Sequence, residues 1–106
     1  MADQCIFCKI ISKEIPSKME HEDDLCVAFH DIHPRSRVHL LVLPKRHMET
    51  LKDMEIADEK TLGRMMKVAS DLAKKFKLED YKLLMSVGKK AGQEIFHAHL
   101  HVMSVD

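Results

Sequence analysis

Residues 95–105 read IFHAHLHVMSV, and in this stretch three histidines alternate with apolar residues. Because successive side chains of a β-strand point to opposite faces, the alternation predicts a strand from Ile95 to Val105. Phe96, Ala98, Leu100 and Val102 would face a core, and His97, His99 and His101 would lie on the other face with successive imidazoles roughly 6–7 Å apart. The stretch therefore predicts a sheet that presents three titratable rings on one surface.

The loop before this strand, Gly88–Gln93, is bounded by glycine and ends at Gly92-Gln93. Imidazole near neutral pH suits metal ligation, proton transfer and nucleophilic attack on phosphorus. Backbone N–H groups of such a loop can cradle a phosphate beside the histidines. The loop and the histidines together favour a phosphate-handling site over a bare metal site.

The rest of the chain predicts short strands around one long helix. Residues 5–13 fit a short helix or turn, and residues 25–29 and 38–43 are apolar runs that predict two antiparallel strands. Asp58 is the expected N-cap of a long helix, and Tyr81–Val87 predicts a further strand. The helix has an apolar stripe of Leu62, Met65, Met66, Ala69, Leu72, Ala73 and Phe76. This order is typical of an α+β fold with a helix packed on an antiparallel sheet.

Length and charge limit the possible partners. The 106 residues predict one domain, and 17 basic against 17 acidic residues argue against binding of nucleic acid or an anionic membrane. No apolar run approaches the roughly 20 residues of a membrane span, and the N-terminus lacks a signal-peptide pattern. We therefore expect a cytoplasmic protein. Its three cysteines are an odd number, which argues against a disulfide framework, so the thiols would bind a metal or be simply buried.

Several segments together resemble the histidine triad (HIT) family of nucleotide-binding proteins, and in particular its purine nucleoside phosphoramidase branch. They are Cys5-Ile-Phe-Cys-Lys-Ile, Phe29-His-Asp-Ile, His39-Leu-Leu-Val-Leu-Pro-Lys-Arg-His47 and the block from Gly92 to His101. The resemblance implies a five-stranded antiparallel sheet with one long and one short helix. It also implies a homodimer with a purine nucleotide site, for an AMP-like or GMP-like substrate, on each protomer.

The resemblance assigns catalysis to three histidines. His99 would attack the α-phosphorus of a nucleoside 5′-phosphoramidate or related nucleotide, and water would release the nucleoside monophosphate from the nucleotidyl-histidine. A neutral imidazole is a competent nucleophile if an acceptor such as a backbone carbonyl holds its other N–H. By similarity His101 would contact the phosphate, and His39 would orient the triad or be a hydrogen-bonded structural histidine.

The resemblance also implies a nucleoside pocket. Asp31 would accept hydrogen bonds from the ribose hydroxyls, since a carboxylate accepts both. His30 would border the pocket, and Ile6, Phe7, Phe29, Ile32 and Leu41 would enclose the base, although Phe7, Phe29 and Leu41 could equally be core residues. Gly92 and Gln93 belong to the phosphate loop. Ser86 stands where family members often have a phosphate-contacting asparagine, and Glu94 stands where a serine lies near the leaving group.

The Cys5-x₂-Cys8 pair is half of a tetrahedral zinc site. In family members that carry this pair, the site is completed by histidines that correspond to His47 and His97. The resemblance therefore implies a structural zinc, and the alternative is a pair of reduced buried thiols. His21 and His33 match no motif and are expected on the surface.

Three functions remain open from the sequence. The first is a phosphoramidate hydrolase, and the second is a dinucleoside polyphosphate hydrolase that uses the same histidines with a different leaving group. The third is a nucleotide-binding or zinc-binding regulatory module with little turnover.

Overall fold

The computed structural model describes residues 4–105, which form two α-helices and five β-strands. The elements are α1 (Ile6–Ile11), β1 (Met19–Glu22), β2 (Cys26–His30), β3 (His39–Pro44), α2 (Glu59–Lys75), β4 (Tyr81–Leu84) and β5 (Leu100–Ser104). Short 3₁₀ turns lie at Leu51–Asp53, Ile56–Asp58 and Lys89–Ala91. The α+β class and the division into one long and one short helix are confirmed.

All five strands join in one antiparallel sheet with the order β1-β2-β3-β5-β4. The expected pairing of β2 with β3 is confirmed, and its register runs from Cys26 opposite Pro44 to His30 opposite Leu40. Strand β5 lies between β3 and β4, with His101 opposite Leu41 on one side and Leu84 on the other. This order brings the histidines of β3 and β5 onto neighbouring strands.

Both faces of the sheet are covered, which explains why β2 and β3 are apolar at successive positions. On one face α2 packs against Ala28, Leu40, Val42, Leu100 and Val102 through Met65, Val68, Ala69 and Leu72. On the other face α1 packs Phe7 and Ile10 against Val27, Phe29, Leu41 and Leu43. Each fully buried Leu, Val or Phe contributes about 1.5–3 kcal/mol relative to exposure, so both layers stabilise the sheet.

Helix α2 buries Met65, Ala69, Leu72 and Ala73 of the predicted stripe, while Leu62 and Phe76 are half-buried. Met65 is fully buried, but Met66 is 45% exposed because the next helical position points about 100° away. Asp58 does lie at the N-cap position, yet its side chain makes no capping hydrogen bond. Its carboxylate instead accepts from Arg46 and from the backbone N–H of Glu55. It therefore ties the turn after β3 to the start of the helix.

The predicted bounds of the last two strands were too wide. Strand β5 begins at Leu100, not at Ile95, because the backbone N–H of Ala98 donates to Met48 O (2.8 Å) rather than to a neighbouring strand. Residues 95–97 form bends, and Phe96 is 39% exposed instead of facing the core. Strand β4 ends at Leu84, before Val87. Within residues 4–105, no helix is both long and apolar enough to cross a membrane.

Candidate functional site

Four histidines converge at the sheet face that α1 covers. His39 begins β3, His97 and His99 lie just before β5, and His101 lies within it. The ring centroids of His99 and His101 are 4.9 Å apart, and those of His39 and His101 are 5.1 Å apart. All four side chains are buried. The pattern of the sequence did not predict this burial.

His99 has a defined tautomer in this hydrogen-bond network. Its Nδ1 lies 2.7 Å from the carbonyl oxygen of His97, which can only accept, so Nδ1 carries the proton. The Nε2 atom is then left with its lone pair. Phe7 packs its ring at 85° to the imidazole, with centroids 5.1 Å apart, which fixes the ring orientation. This is the carbonyl-held imidazole that nucleophilic attack requires.

His39 and His101 form a chain of hydrogen bonds that begins at the backbone. The N–H of Arg35 donates to His39 Nδ1 (3.1 Å), which leaves the His39 proton on Nε2. His39 Nε2 then donates to His101 Nδ1 (2.8 Å), and the His101 proton lies on Nε2. His101 therefore offers an N–H donor where His99 offers a lone pair.

Burial keeps these imidazoles neutral. It lowers the pKa of His97 and the pKa of His101 to about 4 each, with a further lowering of the His101 pKa by His99 and His39. Burial also lowers the pKa of His99 and the pKa of His39 below their usual value. At pH 7 the nucleophile candidate is thus unprotonated without needing a base to deprotonate it.

Asp31 and Ile32 lie at the start of the β2–β3 connection, beside the histidines. The N–H of Asp31 donates to His39 O (3.0 Å), and its Oδ1 accepts from the N–H of His33 (2.9 Å). Its other oxygen is 3.5 Å from His39 Nε2. Ile32 is 79% exposed, while Phe7, Phe29 and Leu41 are buried together, with Phe7 and Phe29 edge to face at 5.7 Å.

His30 does not join this cluster. Its Nε2 lies 2.7 Å from Glu20 Oε2, and its ring packs edge to face on Phe76 at the end of α2. Phe29 faces the α1 side, so the next residue of the strand faces the α2 side. Alternation along β2 is a signal in the sequence that Phe29 and His30 point to opposite faces.

The loop Gly88–Gln93 is held by its own hydrogen bonds. The N–H groups of Gly92 and Gln93 donate to Lys89 O and Gly88 O, so in this conformation neither is offered to a phosphate. The buried Gln93 side chain accepts from the N–H of Gly88 and donates to Glu49 O and Ile95 O. Gly92 has φ +96°, and a Cβ atom at this position would lie 4.0 Å from Ser86 Oγ.

Glu94 is exposed and lies with Glu49 along a surface groove that Ile6, Ile95 and Phe96 also line. A carboxylate at this position would repel a phosphate unless the carboxylate points outward. Its exposure keeps the charge hydrated. The groove also reaches Cys5 and His47, which belong to a second cluster.

Cys5, Cys8, His47 and His97 form this second cluster, and their donor atoms all lie within 4.8 Å of one another. The two Nδ1 atoms are 3.2 Å apart. Cys8 Sγ is 3.3 Å from His47 Nδ1 and 3.6 Å from His97 Nδ1, and Cys5 Sγ is 3.6 Å from His97 Nδ1. A tetrahedral zinc with ordinary bond lengths would separate two nitrogens by about 3.3 Å and a sulfur from a nitrogen by about 3.6 Å.

The hydrogen bonds of His97 favour the metal explanation. Its Nε2 donates to Pro44 O (2.8 Å), which leaves a lone pair on Nδ1. Cys5 Sγ, Cys8 Sγ and His47 Nδ1 all lie within 3.6 Å of this atom. One lone pair cannot accept hydrogen bonds from all three groups. Without a metal, burial and the neighbouring Cys5 raise the pKa of the Cys8 thiol to about 11. The four residues therefore fit a zinc ion.

Arg35 was not predicted from the sequence as a residue of this site. Its backbone N–H holds His39, and its Nη2 lies 3.4 Å from His101 Nδ1. The only signal for it is its place in the polar turn four residues before His39. His21, expected on the surface, is half-buried and pairs with Asp23 at 2.6 Å, while His33 is exposed.

The sheet, its two helices and the row of histidines define a HIT domain protein. The HIT domain family model matches residues 12–106, and the chain belongs to this family.

Among curated relatives, protein HitA of Neisseria gonorrhoeae is 44% identical over 102 residues, 95% of each chain. Purine nucleoside phosphoramidase of Escherichia coli (strain K12) is 39% identical over 105 residues, 97% of this chain and 88% of that protein. The crystal structure of a HIT family hydrolase from Legionella pneumophila Philadelphia 1 superposes with a TM-score of 0.93 at 37% identity. That comparison covers 97% of this chain and 94% of the other.

Proposed function

We propose that the protein is a nucleotide hydrolase that cleaves nucleoside 5′-phosphoramidates or related nucleotides at the α-phosphorus, with His99 as the nucleophile. The observation that carries this proposal is the hydrogen bond from His99 Nδ1 to His97 O, which leaves Nε2 unprotonated and available. The similarity to a purine nucleoside phosphoramidase supports both the reaction and a purine nucleotide of the AMP or GMP type.

In the proposed first step, His99 Nε2 forms a bond to the α-phosphorus while the bond from phosphorus to the leaving nitrogen breaks. The electron pair of that bond goes to the nitrogen, which takes a proton from solvent and leaves as an amine. In the second step water attacks the phosphorus, the bond to His99 breaks, and its electron pair returns to Nε2. One proton of the water passes to solvent, and the nucleoside monophosphate leaves.

His101 and His39 act together in this proposal. The Nε2–H of His101 donates to a phosphate oxygen, because Nδ1 is already occupied by His39. His39 is a positioning residue that receives its orientation from the backbone N–H of Arg35. A buried donor fixed before substrate binds stabilises developing charge without reorganisation.

The proposed nucleoside pocket lies between α1 and the β2–β3 connection. Asp31, with one side-chain oxygen not used by His33, holds the ribose hydroxyls. The exposed Ile32 and the apolar side chains of Ile6, Phe7, Phe29 and Leu41 bound the base. His30 is left out, since its imidazole is bound to Glu20 on the other face. Ser86 and the Gly92–Gln93 turn border the phosphate.

The test is turnover of adenosine 5′-phosphoramidate by the wild type and by His99→Ala. We expect the variant to lose at least about a thousandfold in kcat, because the covalent route requires the nucleophile. It should still bind AMP, which shows that the pocket is folded. His33→Ala is the matched control, since this histidine is exposed and keeps its backbone N–H to Asp31.

The same assay separates the alternatives. Undiminished turnover by His99→Ala would exclude this nucleophile. Cleavage of dinucleoside polyphosphates in preference to phosphoramidates would identify a dinucleoside polyphosphate hydrolase. Binding of AMP by the wild type without turnover of phosphoramidates, acyl-nucleotides or dinucleoside polyphosphates would identify a regulatory module.

We also propose that Cys5, Cys8, His47 and His97 hold a structural zinc ion. The tetrahedral spacing of their donor atoms supports it. A closed four-ligand site takes no part in phosphorus chemistry but ties α1 to the sheet. Here the metal supplies folding energy, and His97 contributes its carbonyl to the neighbouring His99.

A homodimer in the cytoplasm completes the proposal. Leu84 on the edge strand β4 is 41% exposed, and an apolar side chain on the open edge of a sheet favours an interface. A pair of cysteines held for a metal rather than for a disulfide suits a reducing compartment.

A further inference from the structure

Arg35 reaches the histidine cluster in two ways. Its backbone N–H donates to His39 Nδ1 at 3.1 Å, and its guanidinium Nη2 lies 3.4 Å from His101 Nδ1. The residue lies in the connection between β2 and β3, whose first residue, Asp31, faces the same pair of rings. The backbone hydrogen bond of Arg35 thus holds its long cationic side chain at the edge of the site.

The guanidinium is not committed to His101. The single lone pair of His101 Nδ1 already accepts from His39 Nε2 at 2.8 Å, so the longer contact from Arg35 is weak. Across residues 4–105, no carboxylate lies within 4.0 Å of its guanidinium nitrogens. Five N–H donors of a planar fork are therefore largely available to a ligand.

Charged side chains of both signs lie beside the triad. The Asp31 carboxylate lies 3.5 Å from His39 Nε2 and has the same sign of charge as a phosphate. The Arg35 guanidinium, in contact with His101, is a permanent cation beside the triad. Burial lowers the pKa of His39, His99 and His101, and the charge of Arg35 lowers each further, which agrees with its closeness to all three.

We propose that the Arg35 guanidinium binds the 5′-phosphate of the nucleotide and supplies positive charge that the neutral histidines do not. The guanidinium leaves the weak contact with His101 and donates to the phosphate oxygens, for which its fork geometry is suited. Arg35 is then a substrate-binding residue that selects nucleotides over nucleosides. This inference rests on the proposed nucleotide site.

Calorimetric titration with AMP and with adenosine tests the inference, because the two ligands differ only in the phosphate. In wild type we expect AMP to bind more tightly than adenosine. Arg35→Gln removes the charge, keeps a side-chain N–H donor and preserves the backbone N–H to His39. We expect it to weaken AMP binding roughly tenfold or more while adenosine binding stays within about twofold. Arg35→Lys should restore part of the loss.

Lys60→Gln is the matched control. It removes one positive charge from an exposed position on α2, on the opposite face of the sheet, and should leave both affinities unchanged. An unchanged preference for AMP in Arg35→Gln would overturn the role of Arg35 alone. Equal loss of both ligands would overturn it too, by indicating a structural role. A wild type that does not prefer AMP would overturn the proposed nucleotide site as well.

Discussion

Single hydrogen bonds decide the chemistry of this site at the scale of residues. His99 and His101 are adjacent and equally buried, yet one presents a lone pair and the other an N–H. The difference arises because His99 Nδ1 faces a carbonyl oxygen and His101 Nδ1 faces the N–H of His39. The partner of Nδ1 thus determines whether Nε2 presents a lone pair, as in His99, or an N–H, as in His101.

Burial of neutral histidines makes stability depend on pH. His101 has a pKa of about 4 in the fold against an ordinary value of 6.5, and the His39 pKa shifts in the same direction. Between those values the unfolded chain binds a proton that the folded chain excludes. We therefore expect the free energy of unfolding to fall as pH drops from about 6.5 toward 4, by up to roughly 1.4 kcal/mol per pH unit for each such group.

Urea unfolding at pH 7, 6 and 5 measures this slope. His101→Asn should show a shallower slope than wild type, since it lacks the titrating ring. The range stays above the region in which carboxylates with lowered pKa, such as Asp58 and Glu20, lose their stabilising charge. Equal slopes for wild type and His101→Asn would contradict the assignment of a neutral buried His101.

At the scale of elements, α2 depends on one stripe of side chains. The stripe packs on Ala28, Leu40 and Val102, and it includes Met65 but excludes the adjacent Met66. Met65 therefore contributes more to the free energy of unfolding than the adjacent Met66 does. The helix is held by packing on the sheet more than by its intrinsic propensity.

Met65→Ala and Met66→Ala form a matched pair that tests this face. Met65→Ala should lower the free energy of unfolding by about 2–5 kcal/mol, because it leaves a cavity against the sheet. Met66→Ala should change the stability by no more than about 0.5 kcal/mol. Urea unfolding of both variants gives the comparison, and a similar loss in each would show that the helix is rotated from the position described.

Local patterns predicted helix α2 and strands β2 and β3 from the sequence, since the helix follows one repeat and the two strands are continuous apolar runs. They failed for the first residues of β5, because the bond from Ala98 N to Met48 O joins segments 50 residues apart. Alternation predicted the row of three histidines, while their catalytic roles and the complete four-residue cluster were predicted through resemblance to a family. Arg35 was not, since its role depends on a contact 66 residues along the chain.

On the scale of the whole molecule, the Cys/His cluster joins parts of the chain that are far apart in sequence. Its ligands come from α1, from the segment after β3 and from the segment before β5. The contact between Cys5 and His97 closes a separation of 92 residues. A metal there restricts most of the unfolded chain.

We expect wild type purified without chelators to hold about one zinc per chain, and chelation to lower its Tm. Cys5→Ser should contain little zinc and show no further fall in Tm on chelation, since binding free energy contributes directly to folding. Elemental analysis and thermal unfolding provide both readouts. Cys26→Ala removes the third thiol, which lies outside the cluster, and should retain zinc. Equal zinc content in Cys5→Ser would rule out this site.

His97 belongs to both sites: its ring faces the two cysteines, and its carbonyl holds His99. The two clusters therefore share one backbone position, so substitutions in one cluster affect the geometry of the other. A substitution that repositions residue 97 to suit altered ligands also tilts the neighbouring imidazole. Lineages that lose the cysteines must keep residue 97 in place by other packing, so changes at positions 5, 8 and 47 are expected to co-vary with compensating changes around the reactive histidine.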